Sequence, residues 1–194
     1  MGNVEKSIVK RGFVIILLGI VVLSIFGVQS KVINSEPLIV DSLEPGDILF
    51  VDLYEGWCHG GFWDHIGLYI GEQASVGGYR MVVEATYDGG ITITSIGSFI
   101  GRDEPAKMSA RRLEEMPERE AVIQQVIESA LNYVGRPFDY TATATIPLKN
   151  NENRLHCGEV VWRAYKSAGI DLDSNGGMLL YPDDIYFSSK LEPV

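Results

Sequence analysis

Short stretches in which apolar residues alternate with polar or small ones fill the middle of the chain, and this pattern predicts a run of β-strands. In the stretch 65–70, for example, His65 falls on one face and Ile66 on the other. Polar turns separate the stretches, and the Asp-Gly-Gly sequence at 88–90 is typical of a hairpin. The predicted strands cover residues 47–53, 65–70, 80–86, 91–95 and 107–113. Their short connections indicate that consecutive strands are mostly antiparallel.

Two later segments have the spacing of helices. Between Pro117 and Gly135, apolar residues recur at every fourth position, which predicts an amphipathic helix with the proline in its first turn and the glycine at its end. A second helix is predicted over 157–167, with Gly169 as its stop. Strands followed by helices indicate an α+β domain, in which an antiparallel sheet packs on helices that lie on one of its sides.

An uncharged apolar run, 13–28, predicts a hydrophobic helix near the N-terminus. Three basic residues precede it: Lys6, Lys10 and Arg11. This layout is typical of a signal peptide or a signal anchor. Basic residues before the run indicate that the rest of the chain is exported and lies outside the cytoplasm. The run is slightly shorter than the about 20 residues of a bilayer span, so cleavage and anchoring both stay open. The predicted parts are 1–31 as signal peptide or membrane anchor, 32–40 as linker and 41–194 as the folded domain.

Composition narrows the classes of function. The chain has 194 residues, of which 46% are hydrophobic and 22% charged, and this is typical of one globular domain rather than a disordered chain. Its net charge of −10 and the absence of a basic stripe argue against nucleic-acid binding. Two cysteines are too few for a disulfide scaffold or a four-cysteine zinc site.

Cys157 opens the second predicted helix. The unpaired N–H groups and the positive end of the helix dipole favour the thiolate there, and the thiolate is the nucleophilic form. Gly158 is expected to leave the space in front of the sulfur clear, so that its N–H and that of Cys157 can donate to an oxyanion. Glu159 opposes the thiolate, but its side chain is expected to point away along the first turn. The alternative is an inert cysteine on a packed helix.

His65 and Glu84 lie on two neighbouring predicted strands. A carboxylate in the otherwise apolar strand 80–86 should be paired or functional, because an unpaired buried charge is costly. If that strand pairs with 65–70, Glu84 can lie beside His65 and orient its ring. Cys157, His65 and Glu84 then supply a nucleophile, a base and an orienting group. A structural histidine and an exposed edge-strand glutamate are the alternatives.

Five motifs carry a resemblance to a known family. They are LEPGDILF at 43–50, WDHIGLYIG at 63–71, VVEAT at 82–86, GRPFDY at 135–140 and HCGEVVWRAY at 156–165. Over about residues 41–172 the chain resembles the permuted papain-like amidases of the YaeF/YiiX type, which belong with the NlpC-type cell-wall peptidases and the lecithin retinol acyltransferase family. The resemblance implies a circularly permuted papain-like core, with the histidine strand ahead of the cysteine helix, and makes 41–194 a catalytic domain.

The resemblance also implies roles for single residues. Cys157 is expected to be the nucleophile, His65 the general base and Glu84 the orienting group. Tyr140 is a candidate for binding substrate beside the oxyanion, and Gly158 stands where the family usually has serine. The implied substrates are peptide amides or lipid-like acyl esters, and we expect no cofactor and no metal ion.

Two other functions stay open. Cys58, His59, His65 and Cys157 are ligand types that zinc accepts. Alternatively, Cys58 and Cys157 form a disulfide, which is possible in a protein exported to an oxidising compartment. That bond would block the nucleophile and make the chain a non-catalytic, membrane-anchored module.

The loop before His65 is rich in aromatic residues. Trp57, Phe62 and Trp63 either line an apolar substrate groove or anchor the loop on the sheet, and the sequence favours neither.

Overall fold

Six antiparallel strands form the centre of the structure, a computed structural model that describes residues 40–53, 61–73, 75, 77–101, 107–140, 148–149 and 151–194. The strands are β1 (Ile48–Asp52), β2 (His65–Gln73), β3 (Tyr79–Thr86), β4 (Gly90–Ser95), β5 (Lys107–Leu113) and β6 (Leu191–Pro193). Their order across the sheet is β4-β3-β2-β1-β5-β6. The five predicted strands and their antiparallel pairing are confirmed. The C-terminal edge strand β6 was not predicted.

In the described part of the chain, four α-helices accompany the sheet: α1 (Ile96–Ile100), α2 (Arg119–Leu131), α3 (Cys157–Ser167) and α4 (Pro182–Tyr186). The prediction for α3 is confirmed at both ends, and Gly169 follows it with a left-handed φ of 82°. The predicted role of Pro117 is wrong. Glu118, with a φ of 61°, stands between the proline and the first helical residue of α2, so the proline lies outside the first turn.

The sheet buries both of its faces. One face, with Ile48, Phe50 and Leu68, packs on α2, α3 and α4 in the larger apolar cluster. The other, with Leu49 and Tyr69, is covered by Phe99 of α1 in a smaller cluster. Because successive side chains of a strand point to opposite faces of the sheet, one strand can contribute residues to both apolar clusters. The α+β prediction is therefore confirmed, with the difference that one short helix lies on the second face.

A buried hydrogen bond fixes α3 against the sheet. The hydroxyl of Tyr165, near the end of α3, donates to the carbonyl of Gly46 at 2.6 Å, and burial raises the pKa of this phenol. Gly46 has a φ of 97°, and a Cβ there would lie 2.6 Å from Ile123. The backbone N–H of Gly46 in turn bonds the carbonyl of Tyr69 in β2. The end of α3 therefore lies near Tyr69 in the middle of β2, and its first residue lies near His65 at the start of that strand.

The predicted N-terminal segments fall outside the described residues. This applies to the signal peptide or anchor over 1–31 and to residues 32–39 of the linker. Within the described ranges, no helix has both the length and the apolar character that crossing a bilayer requires.

Candidate active site

His65 and Glu84 lie side by side on the sheet. Glu84 pairs with Gly67 across β2 and β3, so its side chain shares a face with His65. The two side chains meet with Nε2 of the imidazole 2.7 Å from Oε2 of the carboxylate. Glu84 is 1% exposed, on a strand between β2 and β4, so the alternative of an exposed edge-strand glutamate is wrong. The predicted proximity of the two residues is confirmed.

The second carboxylate oxygen of Glu84 also has a hydrogen bond. Oε1 accepts from the hydroxyl of Thr94 in β4 at 2.6 Å. On the other side, the ring of Phe99 packs against the imidazole of His65, with centroids 5.5 Å apart. A Cβ on Gly67 would lie 2.8 Å from the Phe99 ring, so a glycine is needed at this point of β2. The ring of His65 is thus held by a carboxylate and by an aromatic surface.

Cys157 completes the group at the end of the sheet. It is the first residue of α3, it is buried, and it is hydrogen-bonded to His65. Burial alone would lower the pKa of His65, but the hydrogen bonds with Cys157 and Glu84, and the charges of these two partners, raise it to about 9. A positive imidazolium beside a thiolate is the charge state that this arrangement favours.

The side chain of Glu159 contacts the N-cap residue of α3 and a residue one turn further along the helix. Its Oε2 accepts the backbone N–H of His156 at 3.4 Å, and its Oε1 accepts from Arg163 at 3.1 Å. The side chain is fully buried, so desolvation raises its pKa while His156 and Arg163 act in the opposite direction. Because Arg163 pairs with this charge, Glu159 opposes the thiolate of Cys157 less than an unpaired carboxylate would.

Gly158 lies close to a histidine ring and to a backbone carbonyl. A Cβ there would lie 3.2 Å from Cε1 of the buried His156 ring and 3.4 Å from the carbonyl oxygen of Leu180. These contacts lie beside Gly158 itself and do not test the space in front of the Cys157 sulfur, so the expectation of clear space there stays a prediction. A Cβ at this position, where the family usually has serine, would require the His156 ring to shift by a few tenths of an ångström.

Tyr140 belongs to an aromatic cluster near the cysteine loop. Its hydroxyl donates to the carbonyl of Tyr87 at 2.5 Å, and its ring packs edge-on against Phe138. Phe138 forms a backbone bridge with Leu155, two residues before Cys157. Tyr140 is 51% exposed and faces solvent beside this segment. Its role in substrate binding stays a prediction.

The aromatic residues before His65 divide into two groups. Trp63 is 1% exposed and packs against Phe50 and Tyr186, so this residue is an anchor and not the lining of a groove. Phe62 is 44% exposed and contacts Phe187 edge-on. Trp57 lies outside the described residues.

Asp183 holds the segment that leads into β2, and the sequence patterns did not indicate it. Its carboxylate accepts the backbone N–H groups of Phe62 and Trp63 at 2.9 and 3.0 Å. A Cβ on Gly61 would lie 2.5 Å from that carboxylate, so the glycine makes the approach possible. Burial raises the pKa of Asp183, and the two backbone donors oppose this. The helix α4 is thereby tied to the chain two residues before His65.

The described residues contain no group of three or more His, Cys, Asp and Glu side chains arranged to bind a metal ion. Cys58 and His59 lie outside them. The zinc site and the Cys58–Cys157 disulfide therefore remain hypotheses.

An antiparallel sheet whose histidine strand comes before the cysteine helix is the arrangement of a permuted papain-like protein. Residues 42–181 match the family described as the permuted papain-like amidase enzymes YaeF/YiiX, family C92. This match covers more than half of the chain, and the chain belongs to that family. The family supports a hydrolase or amidase role.

Individual relatives match over shorter stretches. Protein OPG091 of variola virus is 29% identical over 110 residues, which are 57% of this chain and 55% of that protein. The uncharacterized protein YycO of Bacillus subtilis is 39% identical over 66 residues, 31% of this chain and 24% of that one. The chain thus spans about half of the viral protein and a quarter of the bacterial one.

A solved structure shares the fold. It is the metalloprotein yiiX from Escherichia coli O157:H7, with a TM-score of 0.62 and 19% sequence identity. The alignment covers 78% of this chain and 96% of that one.

Proposed function

We propose that this protein is a thiol hydrolase or acyl transferase that acts on an amide or ester bond through Cys157, His65 and Glu84. One observation carries the proposal. The imidazole of His65 is hydrogen-bonded to the thiol at the start of α3 and lies 2.7 Å from a buried carboxylate. A nucleophile, a base and an orienting group in this order are the parts that covalent acyl transfer needs.

The first half of the reaction forms an acyl-enzyme. Nε2 of His65 faces Glu84, so Nδ1 is the nitrogen that takes the thiol proton of Cys157. The sulfur attacks the carbonyl carbon, and the first N–H groups of α3, which lack helical acceptors, donate to the oxyanion. The bond to the leaving amine or alcohol then breaks, and His65 gives its proton to that group.

The second half releases the acyl group. Water, or another acceptor with an N–H or O–H group, loses its proton to His65 and attacks the thioester carbonyl. The carbon–sulfur bond breaks, and the thiolate of Cys157 is restored beside the imidazolium. Glu84 stays ionised throughout, since its part is to orient the ring and to stabilise its positive form.

The substrate is a peptide amide or a lipid-like acyl ester. Support for an apolar acyl group comes from the aromatic cluster of Tyr87, Phe138 and Tyr140, because it adjoins the segment that leads into Cys157. Aromatic faces contribute large apolar contact areas to small-molecule sites.

The pH dependence of thiol alkylation tests the proposal. Cys157 should react with iodoacetamide well below the pKa of an ordinary thiol, which is about 8.5, because the imidazolium and the helix N-terminus stabilise the thiolate. His65→Ala should raise the apparent pKa of Cys157, whereas Cys58→Ser should leave it nearly unchanged. A Cys157 that stays inert in reduced, metal-free protein, or titrates as an ordinary thiol, contradicts the proposal and favours the non-catalytic module.

We also propose that residues 1–31 direct the domain out of the cytoplasm and hold it at the membrane if they are not cleaved. The basic cluster before the apolar run supports this. Protease added to intact cells should digest the domain from the outer face, while a cytoplasmic control protein stays intact. Full-length protein in the soluble cytoplasmic fraction contradicts the proposal.

A further inference from the structure

The Glu84 carboxylate lies in surroundings that are costly for a charge. It is 1% exposed, on an interior strand of the sheet. A buried carboxylate keeps its charge only where hydrogen-bond donors or opposite charges replace the lost water. His65 satisfies Oε2 at 2.7 Å, and this bond alone would leave the carboxylate able to rotate about its last torsion. A donor at Oε1 removes that rotation.

Thr94 supplies that donor from β4. Val82 pairs with Thr94 across β3 and β4, and Glu84 pairs with Thr92, so both threonines share the face of Glu84. Thr94 is the one that donates to Oε1, at 2.6 Å. This distance is typical of a hydroxyl bonded to an ionised oxygen, and an ionised carboxylate can only accept. The branched Cβ of a threonine also restricts the directions that its hydroxyl can take.

We propose that Thr94 is a positioning residue of this site, which holds the Glu84 carboxylate ionised and aligned so that it can orient His65 toward Cys157. The proposal rests on the function proposed above, and Thr94 acts through Glu84. Loss of the hydroxyl makes the charged carboxylate less favourable and its direction less defined. The pKa of His65 should then fall toward its ordinary value, because the pairing with Glu84 helps to raise it.

The test uses the full chain labelled with ¹⁵N-histidine, because the three histidines give few signals. Titration of the His65 ring nitrogens gives its pKa and its tautomer, and a His65→Gln sample assigns the signals. Thr94→Val removes the hydroxyl at nearly constant shape, and Thr94→Ser keeps it. Thr92→Val is the matched control, since it makes the same change on the same face of the same strand. The alkylation profile of Cys157 is recorded on each sample.

In Thr94→Val, we expect the pKa of His65 to fall by about half a unit to one unit. Thr94→Ser and Thr92→Val should match the wild type. Thr94→Ala serves as a second hydroxyl-free variant if valine disturbs folding. The proposal is overturned if the hydroxyl-free variants titrate as the wild type, or if Thr92→Val shifts His65 equally. An unreactive Cys157 in the wild type would refute the proposed function, while the His65 titration still decides the role of Thr94.

Discussion

Cys157→Ala should reduce the hydrolysis of a p-nitrophenyl ester to the rate seen without a nucleophile, a loss of at least about 10³-fold. Among the described residues, the Cys157 thiol is the nucleophile placed to form an acyl-enzyme, since it stands at the first residue of α3 and is hydrogen-bonded to His65. Without the sulfur, His65 can at most activate water, which is the weaker nucleophile. The rapid first release of nitrophenol that accompanies acyl-enzyme formation should disappear as well.

His65→Ala should cost about as much as Cys157→Ala, and the double variant should be little worse than either. Residues that act as one unit lose their joint function when any member is removed, so their effects do not add. Cys58→Ser is the control, because it removes the other thiol of the chain and should keep the rate. If Cys157→Ala keeps the initial release of nitrophenol, or the losses in the double variant add, the acyl-enzyme mechanism is wrong.

The parts of the fold that local patterns specify could be predicted from the sequence. The helix that begins at Cys157 was predicted at both ends, because a polar loop precedes it and a glycine stops it. Glu84 could be picked out because a carboxylate in an apolar strand needs a partner. Strand pairing then left His65 as the group within reach.

Contacts between distant segments could not be predicted. Asp183 meets the backbone of Phe62 across 121 positions, and no periodicity encodes that pairing. Thr94 resembles any other polar residue of an alternating strand until the register of β3 and β4 is known. The approach of the Leu180 carbonyl to Gly158 likewise depends on how the chain after α3 folds back onto it. Contacts between distant segments depend on how the whole chain closes its loops, and a short stretch of sequence does not specify them.

Glu84→Gln should keep the fold and lower the rate less than His65→Ala does, while the alkaline limit of activity moves to lower pH. The active form needs a protonated His65 beside the thiolate, and this form is lost as pH rises through the His65 pKa of about 9. Glutamine still accepts a hydrogen bond from the ring, but it lacks the charge that favours the imidazolium. The alkaline limb should therefore fall between 6.5 and about 9.

The free energy of unfolding of Glu84→Gln should change with pH in the same direction as its activity. A histidine whose folded-state pKa is raised stabilises the fold fully below its unfolded value of 6.5, and this contribution is lost as pH rises to about 9. The pH-dependent part of the difference in unfolding free energy between wild type and Glu84→Gln should be largest below pH 6.5 and vanish above about 9. Urea unfolding at several pH values measures it, and Glu72→Gln, at an exposed position of β2, is the matched control. An alkaline limb and a stability difference that are unchanged from the wild type would remove Glu84 from the site.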